Sequence, residues 1–209
     1  MLDPEFWLLE TAFPGLIPLR HLVKPEVEYR FNKTSHGLQA PEMSAVLERL
    51  VWEGKIEIKG GGRRPALYSA AELERLLLDP AEQVFYGLTP RGGVRWEELT
   101  LPDWTRYVED WCYSSSDEGP DRYEIIGVDR TLLERFVHLY FRWGGSQIVP
   151  GSGTWDVVAP WQVTGWKVLP LAWRFRATEA PGPYQPCDWT YWEMREFDRL
   201  QRWCHHSTE

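Results

Sequence analysis

Few side chains in this sequence of 209 residues have the types and spacing that catalysis requires. Glu134 and His138 lie four residues apart in a helical pattern, where a carboxylate could orient an imidazole for acid–base chemistry. The same spacing is common among ordinary contacts on helix surfaces. No serine lies in a G-x-S-x-G elbow. The sequence therefore predicts no catalytic residues and favours a protein that is not an enzyme, with an active site assembled only by the fold as the alternative.

Two further segments have residue types found in ligand sites. Cys204-His205-His206, with Cys187, has metal-ligand types, but its spacing matches no standard zinc pattern and a solvated chain end is favoured. The glycines from Gly144 to Gly153 lack the order and the lysine of a phosphate-binding loop, so a hairpin or linker is favoured. The sequence predicts no metal and no cofactor.

A small group of cations surrounds three consecutive glycines. Lys59 precedes Gly60–Gly62, and Arg63 and Arg64 follow them. At the tip of a hairpin these cations could contact phosphates or the minor groove of a nucleic acid. The alternative is a solvated turn, and the net charge of −8 favours it.

Tryptophan is unusually abundant, with 13 residues, of which ten lie from Trp104 onward. One interpretation is a tryptophan-heavy core, because each indole buries a large area. The other is that two or three rings from a set of five form an exposed aromatic platform, the set being Trp143, Trp155, Trp161, Trp166 and Trp173. The candidate partner surface consists of Trp155, Trp161, Trp166 and Trp173.

The first half of the chain has clear signals for local structure. Met43, Val46, Leu47, Leu50 and Val51 form one apolar stripe, which predicts a helix over Glu42–Glu53 that ends at Gly54. The alternation in Lys55–Lys59 predicts a strand, and Ala66–Tyr68 is the predicted return strand. A helix over Ala70–Leu78, capped by Ser69, and a strand at Val84–Tyr86 are expected next.

Two more helices are expected toward the middle of the chain. One starts at Pro90 and is capped by Thr89. The other follows Asp103 and carries Trp104, Tyr107, Val108 and Trp111.

The second half has a β-α-β-β-α pattern after the polar linker Ser114–Pro120. The expected elements are a strand at Tyr123–Val128, a helix over Thr131–Trp143, strands at Trp155–Trp161 and Trp166–Ala177, and a final helix capped by Asp188. Pro170 favours an edge position or a bulge in the last strand.

The segments Glu42–Glu53, EGKIEIKGGG, ALYS and YGLTPRGGVRWEEL together resemble the winged helix-turn-helix superfamily. The resemblance implies a helix and wing that bind DNA in many bacterial regulators and bind proteins in others. The helix that would enter the major groove carries Glu42, Glu48 and Glu53 against Arg49 alone, which favours a protein partner. The acidic, Trp-rich second half resembles bacterial immunity proteins in composition.

Composition limits the remaining classes. Three cysteines without close spacing favour a reducing compartment, and no segment approaches the length of a membrane span, so a cytoplasmic protein is expected. A pI near 5.2 disfavours general binding to polyanions.

These observations predict an α+β protein with a winged-helix-like domain at 1–113 and a Trp-rich domain at 121–209. The expected function is non-enzymatic protein binding, of which an immunity-type protein is one example, with a basic protein favoured as the partner. A winged-helix DNA-binding regulator is the alternative.

Overall fold

The computed structural model describes residues 3–23, 27, 36–60, 68–79, 81, 83–113, 120–143, 147–180, 190–201 and 203. Within these ranges the helices are α1 Pro4–Thr11, α2 Ala40–Trp52, α3 Ala70–Leu78, α4 Pro90–Thr100, α5 Arg130–Trp143 and α6 Tyr191–Gln201. The strands are β1 Ile17–Pro18, β2 Ile56–Lys59, β3 Phe85–Leu88, β4 Val108–Tyr113, β5 Arg122–Gly127, β6 Thr154–Val158, β7 Trp161–Gln162, β8 Val168–Leu169 and β9 Ala172–Thr178. Helices combine with antiparallel sheets, so the protein is α+β, as the sequence predicts.

The chain forms two compact units. Unit 1 holds the described residues up to Thr100 together with Thr164–Trp166. Unit 2 holds the described residues from Leu101 to Val163 and from Lys167 onward. The units divide in sequence at Thr100, before the predicted domain end at residue 113, and β4 belongs to unit 2.

Helix α2 is confirmed, with a start two residues before the predicted Glu42. Pro41 lies in its first turn, and the carboxylate of Glu42 accepts from the Gln39 backbone N–H at 2.9 Å. Met43, Leu47 and Leu50 are fully buried, so the apolar stripe is the face that packs into unit 1.

The sheet of unit 1 has the order β1-β3-β2, and all its pairs are antiparallel. Ile56 and Ile58 of β2 are buried, and Ile58 lies opposite Tyr86.

The predicted return strand Ala66–Tyr68 is wrong at Tyr68, which lies outside any strand and donates from its hydroxyl to the Gly60 carbonyl at 3.1 Å. Residues 66 and 67 lie outside the described residues. The partner of β2 is β3, which follows the intervening helix α3.

Helix α4 contains two glycines whose weak helix preference is offset by close packing. Thr89 precedes the helix, and its hydroxyl accepts from the Gly92 backbone N–H at 3.0 Å. A Cβ at Gly92 would lie 1.8 Å from the Lys55 carbonyl oxygen, and a Cβ at Gly93 would lie 2.1 Å from the Trp166 indole. Both positions therefore need glycine for the approach of a neighbour.

The sheet of unit 2 has the order β4-β5-β9-β6 and is antiparallel throughout. The helix expected after Asp103 is wrong, because only Trp104–Arg106 forms a short 3₁₀ turn before β4 begins. Trp104, Tyr107 and Trp111 fit a helical period, but pairing with β5 decides the local structure.

Helices α5 and α6 pack on one face of this sheet. The core combines Ile125 and Phe175 of the sheet with Phe136 and Phe197 of the helices. Thr190, not the predicted Asp188, caps α6, since its hydroxyl accepts from the Glu193 N–H at 3.3 Å; Asp188 lies outside the described residues.

The two long strands predicted for the second half are each shorter. The first ends at Val158, ahead of β7, and the second is interrupted at Pro170, between β8 and β9. None of the helices in the described part of the chain is long and apolar enough to cross a membrane.

Candidate interaction surfaces

A cluster of charges around Glu5 holds α2 in unit 1. The Glu5 carboxylate accepts from Lys55 at 2.7 Å, from Arg49 at 2.9 Å and from Arg95 at 3.4 Å. Its side chain is only 12% exposed. This Glu5 cluster joins α1, α2, α4 and the start of β2, and so fixes the orientation of α2.

The pKa of Glu5 reflects these contacts. Partial burial raises its pKa, but the hydrogen bonds from Lys55 and Arg49 outweigh burial and lower the pKa from 4.5 to about 2. Glu5 is therefore a carboxylate at all ordinary pH values, and its charge is matched by cations inside the unit.

A buried histidine fixes the chain before α2. One ring nitrogen of His36, Nε2, lies 2.8 Å from the Leu22 carbonyl, and the other, Nδ1, accepts from the Leu38 N–H at 2.9 Å. The ring packs edge-on against Trp7 at 4.7 Å. Burial lowers the pKa of His36, and its bond to Leu22 opposes this. The neutral ring with the proton on Nε2 satisfies both contacts, so His36 has a structural role.

The side of α2 that faces away from the core carries a tryptophan and carboxylates. Pro41, Ala45, Glu48 and Trp52 follow one another at helical spacing and are all exposed, and we name them the α2 surface. Trp52 is 89% exposed. Tryptophan is among the residue types most enriched at the energetically important positions of protein interfaces, so Trp52 is a candidate contact point.

The charges near the α2 surface do not favour a polyanion. Arg49, the single cation in the α2 sequence, pairs with Glu5 and with Glu53. Glu48 accepts from the backbone N–H of Ala70 at 3.0 Å, which places its carboxylate at the start of α3.

The predicted nucleic-acid contacts are only partly described. Lys59 is half-exposed and pairs with Glu57 at 2.8 Å, so its charge is offset within β2. Arg63 and Arg64 lie outside the described residues. Their role in nucleic-acid binding stays a prediction.

Two of the predicted partner tryptophans are held by contacts within their own units. Trp161 is 5% exposed and stacks on Tyr107, with ring centroids 5.9 Å apart. Trp166 is partly exposed and belongs to unit 1, where its indole covers Gly93 and its Nε1 donates to Glu97 at 3.2 Å. Trp161 is therefore too buried to contact a partner in this structure.

The other two tryptophans lie together. Trp155 on β6 and Trp173 on β9 both pack against Arg130 at the start of α5, with the guanidinium carbon 3.7 and 4.7 Å from their ring centroids. Both are half-buried against the core of unit 2. Their aromatic faces are therefore used by a cation of the protein itself.

The face of the unit 2 sheet opposite α5 and α6 is a mixed aromatic and charged surface. Strand pairing aligns Trp111, Glu124, Arg176 and Thr154 in one row across the sheet. The neighbouring row contains Glu109, Ile126, Arg174 and Asp156, and the third aligns Tyr113, Arg122 and Thr178. We name these residues, apart from the buried Ile126, the open face. Trp111 and Tyr113 are 49% and 54% exposed.

Two arginines and two carboxylates link the strands of the open face, and we name them the strand cluster. Arg174 donates to both Asp156 oxygens at 3.0 and 2.6 Å, and Arg176 donates to Glu124 at 2.8 Å. The hydrogen bonds from Arg174 lower the pKa of Asp156. Beside this cluster an open cavity of about 570 Å³ is lined by Tyr113, Arg122, Ser152 and Thr178, among others.

The carboxylate of the candidate acid–base pair Glu134 and His138 is held by an arginine. Glu134 accepts from Arg130 at 2.6 Å, and this bond is the one that orients its carboxylate. The described residues contain no group of three metal-ligating side chains. Cys187, Cys204, His205 and His206 lie outside the described residues.

Sequence reasoning named Trp143, which is 58% exposed, but it missed Trp52, Trp111 and Tyr113, although a signal existed for each of these three. Trp52 follows Met43 by nine residues, about two and a half helical turns, so the apolar stripe itself places Trp52 on the outer side of α2. Trp111 and Tyr113 share one face only if their segment is a strand, and a helix was expected there.

Comparisons of the chain with protein families, with curated proteins and with solved structures found no match.

Proposed function

We propose that this chain is a non-enzymatic protein-binding protein and that unit 1 is a winged-helix-like module used for docking to a protein. The observation that carries the proposal is the α2 surface, where Trp52 is 89% exposed beside the carboxylate of Glu48. In a winged helix this is the surface offered to the partner.

The order of the elements supports the winged-helix part of the proposal. Helix α2 runs directly into β2, and β2 pairs with a returning antiparallel strand, β3. Helix α3 within this connection is a departure from the simple hairpin, and it packs beside α2 through the bond from Ala70 to Glu48.

Charge supports a protein partner over DNA, and a basic protein over an acidic one. DNA affinity comes from cations that replace counterions, and the α2 surface has none among its side chains. An exposed aromatic anchor beside the Glu48 carboxylate fits a partner that carries arginine or lysine.

Site-specific photo-crosslinking tests the proposal. A photoreactive residue at position 52 of the full chain should give a defined protein adduct in extract of the native host. The matched control is the same residue at position 78, because Leu78 is also a large exposed apolar residue of unit 1 but lies on α3. Adducts from both positions alike would contradict a specific role for the α2 surface.

A titration of labelled duplex DNA of mixed sequence at low salt tests the alternative. We expect no saturable binding. Saturable binding that is lost in an Arg63→Ala, Arg64→Ala double variant would replace the protein-docking proposal with the DNA-binding regulator.

A further inference from the structure

The outer edge of β4 is a sheet edge without a partner strand in the described residues. Six registered pairs, from Val108 opposite Gly127 to Tyr113 opposite Arg122, join β4 to β5 on its inner side. Asp110, Trp111, Cys112 and Tyr113 are all exposed, although successive residues point to opposite faces. β4 stands at the end of the sheet order β4-β5-β9-β6, so no described strand pairs with its outer edge.

β4 carries two charged side chains, Glu109 and Asp110, which discourage acidic strands, but it lacks the other features that protect an edge. Natural edges carry lysine, proline or a bulge that discourages the addition of another strand. VEDWCY contains neither residue, and its pairing with β5 is regular over all six positions. The backbone of β4 is therefore suited to pair with an extended segment.

The side chains of β4 indicate the charge of that segment. Glu109 and Asp110 are its two ionisable carboxylates, and β4 contains no cation. Glu109 and Trp111 lie two residues apart on one face of the strand, so a carboxylate lies beside the half-exposed indole. The open side of an indole ring attracts a guanidinium or an ammonium group, as Trp155 does with Arg130 in the same unit.

We infer that β4 docks an extended segment of a partner protein by strand addition, with an arginine or lysine of that segment packed over Trp111. Backbone hydrogen bonds to the edge supply affinity, and the cation near Glu109 and Trp111 supplies selectivity. Arg122 lies opposite Tyr113 in the register, so the cation is expected at the Glu109 end of the strand. This edge belongs to unit 2 and does not depend on the α2 surface.

The test uses the full ¹⁵N-labelled chain and a short synthetic peptide of alternating threonine and valine with one central arginine. We expect saturable amide shifts centred on residues 108–113. The matched control peptide has glutamate in place of the arginine and should bind more weakly. Shifts of equal size with both peptides, or shifts centred elsewhere, would overturn the proposal.

Two further peptides separate strand addition from simple charge attraction. In one, the odd-numbered backbone amides are N-methylated, and in the other the even-numbered amides are. Only one set of amides faces β4 in a strand pair, so one of these peptides should bind and the other should not. Equal binding of both would contradict strand addition.

Variants of the protein complete the test. Trp111→Ala should weaken binding of the arginine peptide about fivefold, the size of an exposed cation–π contact. Trp52→Ala should leave binding of the arginine peptide unchanged. A negative result for strand addition at β4 is therefore distinguishable from a negative result for docking at the α2 surface. A dimer with protected β4 amides in the absence of peptide would also overturn the inference, because a second copy would then occupy the edge.

Discussion

The Glu5 cluster of unit 1 and the strand cluster of unit 2 are built from the same residue types but differ in burial. Glu5 is 12% exposed and receives three cations from different elements. Asp156 is 44% exposed and shares two arginines with Glu124 on adjacent strands.

Because the two clusters differ in burial, we expect them to contribute differently to stability. Loss of one partner from a nearly buried group leaves charges in a poorly solvated place, so the Glu5 cluster governs stability. Water solvates the strand cluster directly, so its pairs contribute little to stability. The strand cluster instead gives the open face a fixed pattern of charge beside Trp111.

The largest expected effect is on removal of the central carboxylate of unit 1. Glu5→Gln removes the nearly buried carboxylate that Lys55 and Arg49 share, and Glu53 remains as their second partner. The free energy of unfolding should fall by roughly 3 kcal/mol, the equivalent of the Glu5 pKa shift. Urea unfolding followed by tryptophan fluorescence measures this change. Glu98→Gln is the control, because Glu98 also pairs with Arg95 but is 59% exposed, and its loss should cost below about 0.5 kcal/mol.

Acid should weaken unit 1 through the same residue. The pKa of Glu5 is about 2 in the folded protein against 4.5 as its ordinary value, so the unfolded chain binds more protons between these two values. The contribution of Glu5 to the free energy of unfolding is complete above pH 4.5. Roughly 3 kcal/mol is lost as the pH falls from 4.5 toward 2. Unfolding curves over this range should be steeper in pH for the natural protein than for Glu5→Gln. Identical slopes would show that Glu5 is not held by its partners.

His36 should add a smaller pH dependence at milder acidity. Burial lowers its pKa below 6.5, so the folded state favours the neutral ring. Its contribution is complete above pH 6.5 and declines as the pH falls toward the lower folded pKa, because protonation removes the acceptor for the Leu38 N–H. His36→Gln should remove this decline, and NMR titration of the ring measures the pKa directly.

The strand cluster should respond weakly to the same kind of change. Asp156→Asn breaks the two-point contact with Arg174 at a half-exposed position, and the expected loss is below about 1 kcal/mol. A loss as large as that from Glu5→Gln would remove the contrast between the two clusters.

The parts of unit 1 that the sequence predicts are those whose signals lie within a few neighbouring residues. Helices α2, α3 and α4 and strand β2 depend on stripes, caps and alternation within a few residues, and the sequence predicts each of them. The pairing of β2 with β3 spans α3, so nothing local distinguishes Phe85–Leu88 from Ala66–Tyr68 as the return strand.

Unit 2 was harder to predict because the spacing of its aromatic residues indicates a helix where the fold forms a strand. Trp104, Tyr107, Val108 and Trp111 have helical spacing, and only the long-range pairing with β5 makes Val108–Tyr113 a strand. The choice among tryptophans failed for a related reason. Residue type cannot tell that Trp161 stacks inside on Tyr107 while Trp111 remains half-exposed.

The smallest expected effect on stability belongs to the residue with the largest expected effect on binding. Trp52 is 89% exposed, so Trp52→Ala should change the free energy of unfolding by less than about 0.5 kcal/mol.

Calorimetry with purified proteins tests the central claim most directly. It measures the affinity of this chain for the partner captured at position 52. Trp52→Ala should weaken it at least about tenfold while leaving unfolding unchanged, as expected for an aromatic anchor on the α2 surface. Unchanged affinity in this variant would contradict the assignment of the α2 surface as the docking surface.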